Sequence, residues 1–222
     1  MAALIFVLGA SAAGAQNKFF TDWPAGTTPT EVGKRVAEVF IPTPNMDMSS
    51  HGPQALHYSH VATWTGALQF ASLTKDEDLK KRLVDRFDPF LNANGTLVPR
   101  ADHVDGTVFG ALPLELYMQD ARFGFGVMGL SFADAQWDRP LPDGLTNQTR
   151  WWIDDMYMIT ALQLAAHRAT GDSKYLERAT RQMVAYLAKL QQPNGLFFHA
   201  PDVKFFWGRG DGWVAVGMAE LL

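Results

Sequence analysis

The sequence of 222 residues contains no cysteine, which excludes disulfides, thiolate nucleophiles and cysteine-ligated metals. Its six histidines include no pair at the HxH or HxxxH spacings that are typical of zinc sites. Charged residues make up only 19% of the chain, the net charge is −4, and no long lysine- or arginine-rich run occurs, so we expect no nucleic-acid partner. Beyond the N-terminus, no stretch has the roughly 20 apolar residues that span a bilayer. We therefore also expect no metal, no other cofactor and no membrane partner.

Apolar residues are abundant, at 47% of the chain, a share that is typical of a globular domain and excludes an intrinsically disordered protein. Residues 1–15 are apolar and small and end in Ala-Gly-Ala, which is typical of a secretory signal peptide. The positive n-region of such a signal is missing, so a buried N-terminal helix is the alternative. We predict a secreted or periplasmic protein in which residues 16–57 form an arm, a first helix and a loop, and residues 58–222 form the main domain.

Apolar residues recur at helical spacing along most of the chain and predict helices at 32–40, 58–73, 75–91, 107–122 and about 126–137. The sequence Ala-Leu-Gln at 67–69 recurs at 161–163, and an Asn-Gly turn at 94–95 recurs at 194–195. Such repetition indicates helical hairpins of about 50 residues, each of which buries its apolar face on the next.

Evidence for strands is limited to two short segments after glycine turns, at residues 96–98 and 196–198, so the predicted fold class is all-α. The segment from Gly212 to Leu222 begins another amphipathic helix and has no capping residue at its end. We therefore expect the chain to be a piece of a longer protein. It contains about four hairpins, whereas a closed ring of six needs roughly 300 residues.

Polar and aromatic residues concentrate in three loops, at residues 103–110, 150–158 and 199–213. Loops at one end of a ring of hairpins converge on a central opening, where a ligand site is expected. In the second loop, Asp154 and Asp155 stand at a predicted helix start beside two tryptophans. One interpretation is a helix cap with core tryptophans. The other is a carboxyl desolvated by indole rings, whose raised pKa lets it donate a proton near neutral pH while the adjacent acid is structural.

The segment FWGRGDGW contains three glycines, which let the backbone bring Trp207, Arg209 and Trp213 close together. Indole faces stack on sugar rings or cations, and an arginine fork matches a carboxylate. The alternative is a glycine-rich helix start with core tryptophans. Asp105 and His199 lie in the other two loops. Taken singly, each is more typical of an ordinary loop residue than of a ligand.

The motif W-x-D-D-x-Y-M, which includes Asp154, and the motif W-x-R-G-D-G-W, which includes Arg209, together resemble glycoside hydrolase family 105. Members of this family are unsaturated rhamnogalacturonyl hydrolases, related to the family 88 unsaturated glucuronyl hydrolases. The resemblance extends from about Tyr58 to Leu222 and implies an (α/α)₆ toroid of helical hairpins, here incomplete. It implies removal of a 4,5-unsaturated uronic acid of galacturonyl type from the non-reducing end of pectin-derived rhamnogalacturonan oligosaccharides. In the family reaction an aspartic acid protonates C4, water adds at C5, and no glycosyl-enzyme forms.

The resemblance also implies a role for each matching residue. Asp154 matches the proton donor and is the predicted general acid and base, Asp105 matches a second acidic residue near the sugar, and His199 matches a histidine that contacts substrate. The other implied substrate contacts are Trp152 as a pocket wall and, around the uronate, Trp207, Arg209 and Trp213, with the arginine nearest the carboxylate. Asp211 departs from the asparagine that is commoner in the family motif, so its hydrogen bonding is not implied.

Two other functions stay open at this point. The chain could be an ordinary inverting glycosidase or a sugar epimerase on the same toroid, acting on saturated sugars. It could also be an inactive fragment that binds sugar weakly or serves as a scaffold, because an incomplete ring exposes an apolar edge. For the reaction that the family resemblance implies, the expected partner is an oligosaccharide that carries an unsaturated uronate.

Overall fold

The computed structural model describes residues 21–45, 56–92 and 97–222. These ranges contain ten α-helices and one two-stranded sheet: α1 (Pro29–Phe40), α2 (Tyr58–Thr74), α3 (Glu77–Asp85), α4 (Asp88–Asn92), α5 (Val104–Thr107), α6 (Ala111–Asp120), α7 (Phe123–Ala135), α8 (Asp155–Thr170), α9 (Ser173–Leu190), β1 (Phe198–Ala200), β2 (Val203–Phe206) and α10 (Gly208–Ala219). A 3₁₀ turn, Val108–Gly110, joins α5 to α6. The predicted signal peptide of residues 1–15 and the Asn-Gly turn at 94–95 lie outside the described residues, so export stays a prediction.

The helices form two layers. The inner layer consists of α2, α6, α8 and α10, which pack side by side in chain order, and the outer layer consists of α1 and α3 on α2, α7 on α6, and α9 on α8. The sequence explains this division, because every residue from Asp155 to Ala166 of α8 is buried, whereas α9 buries a single stripe that includes Tyr175, Ala179 and Met183. The predicted all-α class and the hairpin architecture are thus confirmed.

The largest core cluster joins α2 to the helices that follow it. The indole of Trp64 in α2 is fully buried, and its Nε1 donates a hydrogen bond of 3.0 Å to the Leu83 carbonyl oxygen of α3. The Phe87 ring stacks on Phe90 at 5.0 Å between centroids and on Phe109 at 6.0 Å. Burial of each such side chain contributes about 1.5–3 kcal/mol relative to exposure, so this cluster fixes how the first two hairpins pack.

The helix predicted at residues 75–91 is in fact two helices, α3 and α4. Lys75 adopts a left-handed backbone conformation, with φ of 56°, and ends α2. Asp76 then caps α3, since its side chain accepts a hydrogen bond from the third residue of that helix. Pro89 stands at the second position of α4, where a missing N–H is tolerated but the helix before it is interrupted.

The remaining differences from the sequence prediction lie near the loops. The helix predicted at 107–122 begins at Val104 and is broken by the 3₁₀ turn before α6, and the last helix begins at Gly208 rather than Gly212. The segment at 196–198 is part of a β-hairpin, in which Phe198 pairs with Phe206 and Ala200 pairs with Val203 in antiparallel register. Strands of three and four residues are too short for their period to be read from the sequence.

Candidate active site

The inner helices bring their N-terminal ends to one cavity of about 320 Å³. Tyr58 is the first residue of α2, Asp105 lies in α5 just before α6, Asp154 directly precedes α8, and Arg209 is the second residue of α10. All four side chains line the cavity. Because a helix N-terminus carries partial positive charge, this arrangement favours an anionic ligand.

The structure brings together six of the seven side chains that the sequence nominated. The predicted residues that line the cavity are Asp105, Trp152, Asp154, His199, Trp207 and Arg209. Sequence reasoning missed four further lining residues, namely Tyr58, Arg150, Met158 and Phe205. Two of these could have been found in the sequence. Arg150 directly precedes the Trp-Trp-Ile-Asp-Asp segment, and Phe205 directly precedes the FWGRGDGW segment.

Asp154 is one of two aspartates that line the cavity. Its residue surface is 6% exposed, and its Oδ2 atom is buried without a hydrogen-bond partner among the described residues. The side chain accepts no hydrogen bond from the first turn of α8, so the helix-cap interpretation is wrong for this residue. Burial raises the pKa of Asp154, while the nearby His199 and Arg150 side chains oppose the rise. The direction of this shift is the one predicted from the sequence.

Asp155 has a different environment from its neighbour. Its carboxylate is fully buried and accepts hydrogen bonds from the Arg150 backbone N–H at 3.0 Å, from Arg150 Nε at 2.9 Å and Nη2 at 2.6 Å, and from the Tyr186 hydroxyl at 2.6 Å. Burial raises the pKa of Asp155, and the guanidinium charge opposes that rise. As expected for two adjacent acids, one faces the cavity and the other anchors the loop.

The loop before α8 is held in an unusual backbone conformation. Trp151 has a positive φ of 62°, its N–H donates to the Tyr186 hydroxyl at 3.0 Å, and its ring packs on the Tyr186 ring at 4.9 Å. This turn directs Trp152 toward the cavity, where 45% of its surface is exposed. Trp152 is therefore a cavity wall and not a core tryptophan.

His199 is held among aromatic rings on β1. Its imidazole stacks on Phe205 at 5.5 Å between centroids, lies 5.4 Å from Trp152, and meets Trp207 edge to face at 5.3 Å. Its Nδ1 atom lies 3.9 Å from Asp154 Oδ2. The His199 carbonyl oxygen accepts a hydrogen bond of 2.9 Å from the backbone N–H that precedes Asp154, which ties the β-hairpin to the acid loop.

Arg209 supplies a cation at the cavity. Its guanidinium lies 4.1 Å from the Trp207 ring centroid, its side chain is exposed, and it forms no ion pair with any residue that the structure describes. Asp211, at the position where the family motif more often has asparagine, accepts a hydrogen bond of 3.0 Å from the Phe197 backbone N–H. Asp211 thus joins the start of α10 to the β-hairpin.

Trp213 is not among the residues that line the cavity, so its predicted contact with the uronate stays a prediction. It lies one helical turn beyond Arg209 in α10 and therefore below the cavity. Its ring stacks on Tyr157 at 4.8 Å and meets Tyr58 edge to face at 6.2 Å. This packing matches the alternative interpretation, a core tryptophan at a glycine-rich helix start.

The described ranges contain no group of three or more His, Cys, Asp or Glu side chains placed to hold a metal ion. Nor is any helix in them long and apolar enough to cross a membrane. Among the side chains that line the cavity, the Asp154 carboxyl could exchange a proton with a ligand, beside the Arg209 cation and the aromatic walls.

The sequence from residue 33 to residue 222 matches the family model described as Glycosyl Hydrolase Family 88. The chain belongs to glycosyl hydrolase family 88. A curated relative, the unsaturated rhamnogalacturonyl hydrolase YesR of Bacillus subtilis (strain 168), is 29% identical over 109 residues, which are 46% of this chain and 29% of that protein. The family relationship expected from the two sequence motifs is confirmed.

Solved structures share the fold of this family 88 chain. A family 105 glycoside hydrolase of C. acetobutylicum ATCC 824 superposes with a TM-score of 0.68 at 16% identity, over 87% of this chain and 58% of that one. A family 88 glycosyl hydrolase from Bacteroides vulgatus gives 0.62 at 17% identity, over 86% and 60%. A polysaccharide lyase gives 0.60 at 20% identity, over 86% and 60%. The predicted helical toroid fold is confirmed, and the chain spans less than two thirds of each of these proteins.

Proposed function

We propose that this protein removes a 4,5-unsaturated uronic acid of galacturonyl type from the non-reducing end of pectin-derived oligosaccharides. The observation that carries the proposal is the Asp154 carboxyl, which is buried at the cavity with a raised pKa and an unpartnered Oδ2 atom. The named activity of the relative YesR supports the substrate class.

Asp154 acts first as an acid and then as a base. Because burial raises its pKa, it stays protonated to higher pH than an exposed aspartate and can donate to C4 of the sugar double bond. Positive charge develops at C5, beside the ring oxygen, and water adds there while the Asp154 carboxylate accepts a proton from it. The residue ends protonated as it began.

Release of the aglycone then needs no further carboxyl group. The hydroxylated C5 is a hemiketal, and opening of the ring gives a ketone at C5 and a hemiacetal at C1, which loses the aglycone. An ordinary glycosidase instead needs two working carboxyl groups across the glycosidic bond. Asp155 is fully buried and Asp105 is paired with Arg150, so this site favours hydration over the inverting mechanism.

Arg209 and the helix ends give the site its preference for a uronate. The Arg209 guanidinium can bind a carboxylate through two parallel hydrogen bonds, and the N-termini of α8 and α10 add partial positive charge. Trp207 and Trp152 offer apolar walls to the sugar ring. A neutral hexose would lack the group that this cation recognises.

The proposal is tested by supplying an unsaturated digalacturonide or rhamnogalacturonan disaccharide and its saturated counterpart in parallel. We expect loss of the ultraviolet absorbance of the enol-uronate with the unsaturated sugar, together with release of the aglycone. Turnover of the saturated sugar alone would replace the proposal with an ordinary glycosidase or epimerase. A gain of absorbance from saturated polymer would indicate a lyase, the activity named for one of the structural neighbours.

A further inference from the structure

Arg150 lines the cavity but its guanidinium is engaged by two carboxylates. Toward Asp155 it donates from Nε at 2.9 Å and from Nη2 at 2.6 Å, and toward Asp105 it donates from Nη2 at 3.1 Å and from Nη1 at 3.4 Å. Four of the five N–H donors of an arginine are accounted for in this way. We propose that Arg150 is a positioning residue, which fixes the Asp105 carboxylate at the cavity by anchoring it to the buried Asp155. This inference rests on the proposed function.

The Asp155 end of this chain of contacts is rigid. Asp155 begins α8, is fully buried, and is also held by the Tyr186 hydroxyl of α9 at 2.6 Å. If Arg150 turned away, Asp155 would be left as an unpaired buried charge, which is strongly unfavourable. The guanidinium therefore stays where Asp155 holds it, and its outer edge is presented to Asp105.

The Asp105 end faces the cavity. Both carboxylate oxygens of Asp105 lie within 3.4 Å of an Arg150 nitrogen, which sets the plane of the carboxylate. Asp105 comes from α5, and Arg150 comes from a loop 45 residues later, so this contact ties the carboxylate to a distant segment of the chain. The same guanidinium lies 4.8 Å from the Trp152 ring centroid and supports that wall as well.

The two arginines that line the cavity, Arg209 and Arg150, thus have different roles. Arg209 is exposed and unpaired among the described residues, and it is available to a carboxylate ligand, whereas Arg150 already neutralises two aspartates. Removal of the Asp105 contact should affect Arg150 even in the absence of substrate. Removal of the fork should release Asp105 together with the Trp152 wall, so a change at Asp105 made on top of it should cost little further turnover.

The first test does not depend on the reaction. In the native protein without ligand, the Arg150 side-chain NMR signals should show slow rotation about the Nε–Cζ bond, with Nη1 and Nη2 resolved, because both ends are held. Asp105→Asn should speed this rotation by on the order of tenfold, as expected when charged hydrogen bonds are lost. Averaged Nη signals in the native protein would overturn the proposal, whatever the enzyme proves to act on.

The second test is a double-mutant cycle of Arg150→Lys, which keeps the charge and loses the fork, with Asp105→Asn. Each single change should lower kcat/KM by on the order of tenfold to a hundredfold, and the double variant should be no worse than the more damaged single variant. Arg209→Lys with Asp105→Asn is the control, and those two losses should multiply. Multiplying losses for the Arg150 pair would overturn the proposal. Asp154→Asn is measured alongside, since its full activity would refute the proposed function and leave the NMR result standing.

Discussion

The Oδ2 atom of Asp154 and the Nδ1 atom of His199 lie 3.9 Å apart, and both are buried without a hydrogen-bond partner among the described residues. This separation is too long for a hydrogen bond but short enough for a charged imidazole to stabilise the carboxylate. An unsatisfied buried polar atom costs about 1–3 kcal/mol, so two of them facing each other are more consistent with a functional role than with a structural one.

Asp154→Asn should lower kcat by about 10²–10⁴-fold, the usual contribution of a positioned general acid and base. The amide has the size of the carboxyl but no transferable proton, so binding of the unsaturated disaccharide should be largely retained. Steady-state kinetics and calorimetric titration check the two parts. Asp138→Asn, at an exposed position, is the matched control and should leave both unchanged. If turnover survives the change at 154, the acid must be reassigned, first to Asp155 or Asp105.

The raised pKa of Asp154 also predicts a pH-dependent cost in stability. The folded protein holds the Asp154 proton more tightly than the unfolded chain does, and this tighter binding stabilises the folded state. The stabilisation is fully present below the pKa of the unfolded chain and is lost as pH rises through the pKa of the folded protein. The Asp154→Asn variant cannot lose a proton there. Across that window, urea unfolding should therefore show the free energy of unfolding rising for the variant relative to the native protein. Parallel pH profiles would contradict the assignment of a raised pKa.

His199→Phe should shift the pH profile rather than abolish turnover. The phenyl ring can keep the stacking on Phe205 and Trp207, but it removes the group whose positive charge opposes the raised pKa of Asp154. The basic limb of the kcat/KM profile should then move to higher pH, because Asp154 stays protonated longer. An unchanged basic limb would mean that His199 acts only through contact with substrate.

Arg209→Ala should chiefly raise KM for the uronate, by the equivalent of about 1.5–3 kcal/mol for a lost charged hydrogen bond. Arg209→Lys, which keeps the charge without the fork, should recover part of the loss. A substrate whose carboxylate is methyl-esterified should bind the native protein and the alanine variant equally. A loss that is the same for both substrates would show that Arg209 acts through packing on Trp207 and not through the carboxylate.

The sequence predicted those parts of the site that depend on local pattern. The helix start at Asp155 and the glycine-rich segment that places Trp207 and Arg209 at the cavity both follow from residues near one another in the chain. The pairing of Arg150 with Asp105 bridges 45 residues and could not be read from spacing. Trp207 and Trp213 belong to one motif, and only the position of the helix end decides that the first lines the cavity and the second lies beneath it.

The packing role of Trp213 gives a stability prediction. Trp213→Phe should keep the stacking on Tyr157 and leave kcat near the native value, because no cavity contact is lost. Trp213→Ala should lower the free energy of unfolding by about 3 kcal/mol, at the lower end of such truncations because the ring is only partly buried. Denaturant unfolding and kinetics check both variants. A loss of uronate affinity in a stable Trp213→Phe protein would restore the contact first expected from the sequence.

Two glycines of α10 test how closely that helix packs on α8. A Cβ atom at Gly217 would lie 2.5 Å from the Met156 carbonyl oxygen, which is backbone and cannot turn aside, whereas one at Gly212 would meet nothing within 4 Å. Gly217→Ala should therefore lower the free energy of unfolding by about 1–3 kcal/mol. Gly212→Ala, the matched control in the same helix, should be neutral or should stabilise the protein by up to about 1 kcal/mol, since alanine is the better helix former. Equal effects at the two positions in urea unfolding would show that α10 does not approach α8 this closely.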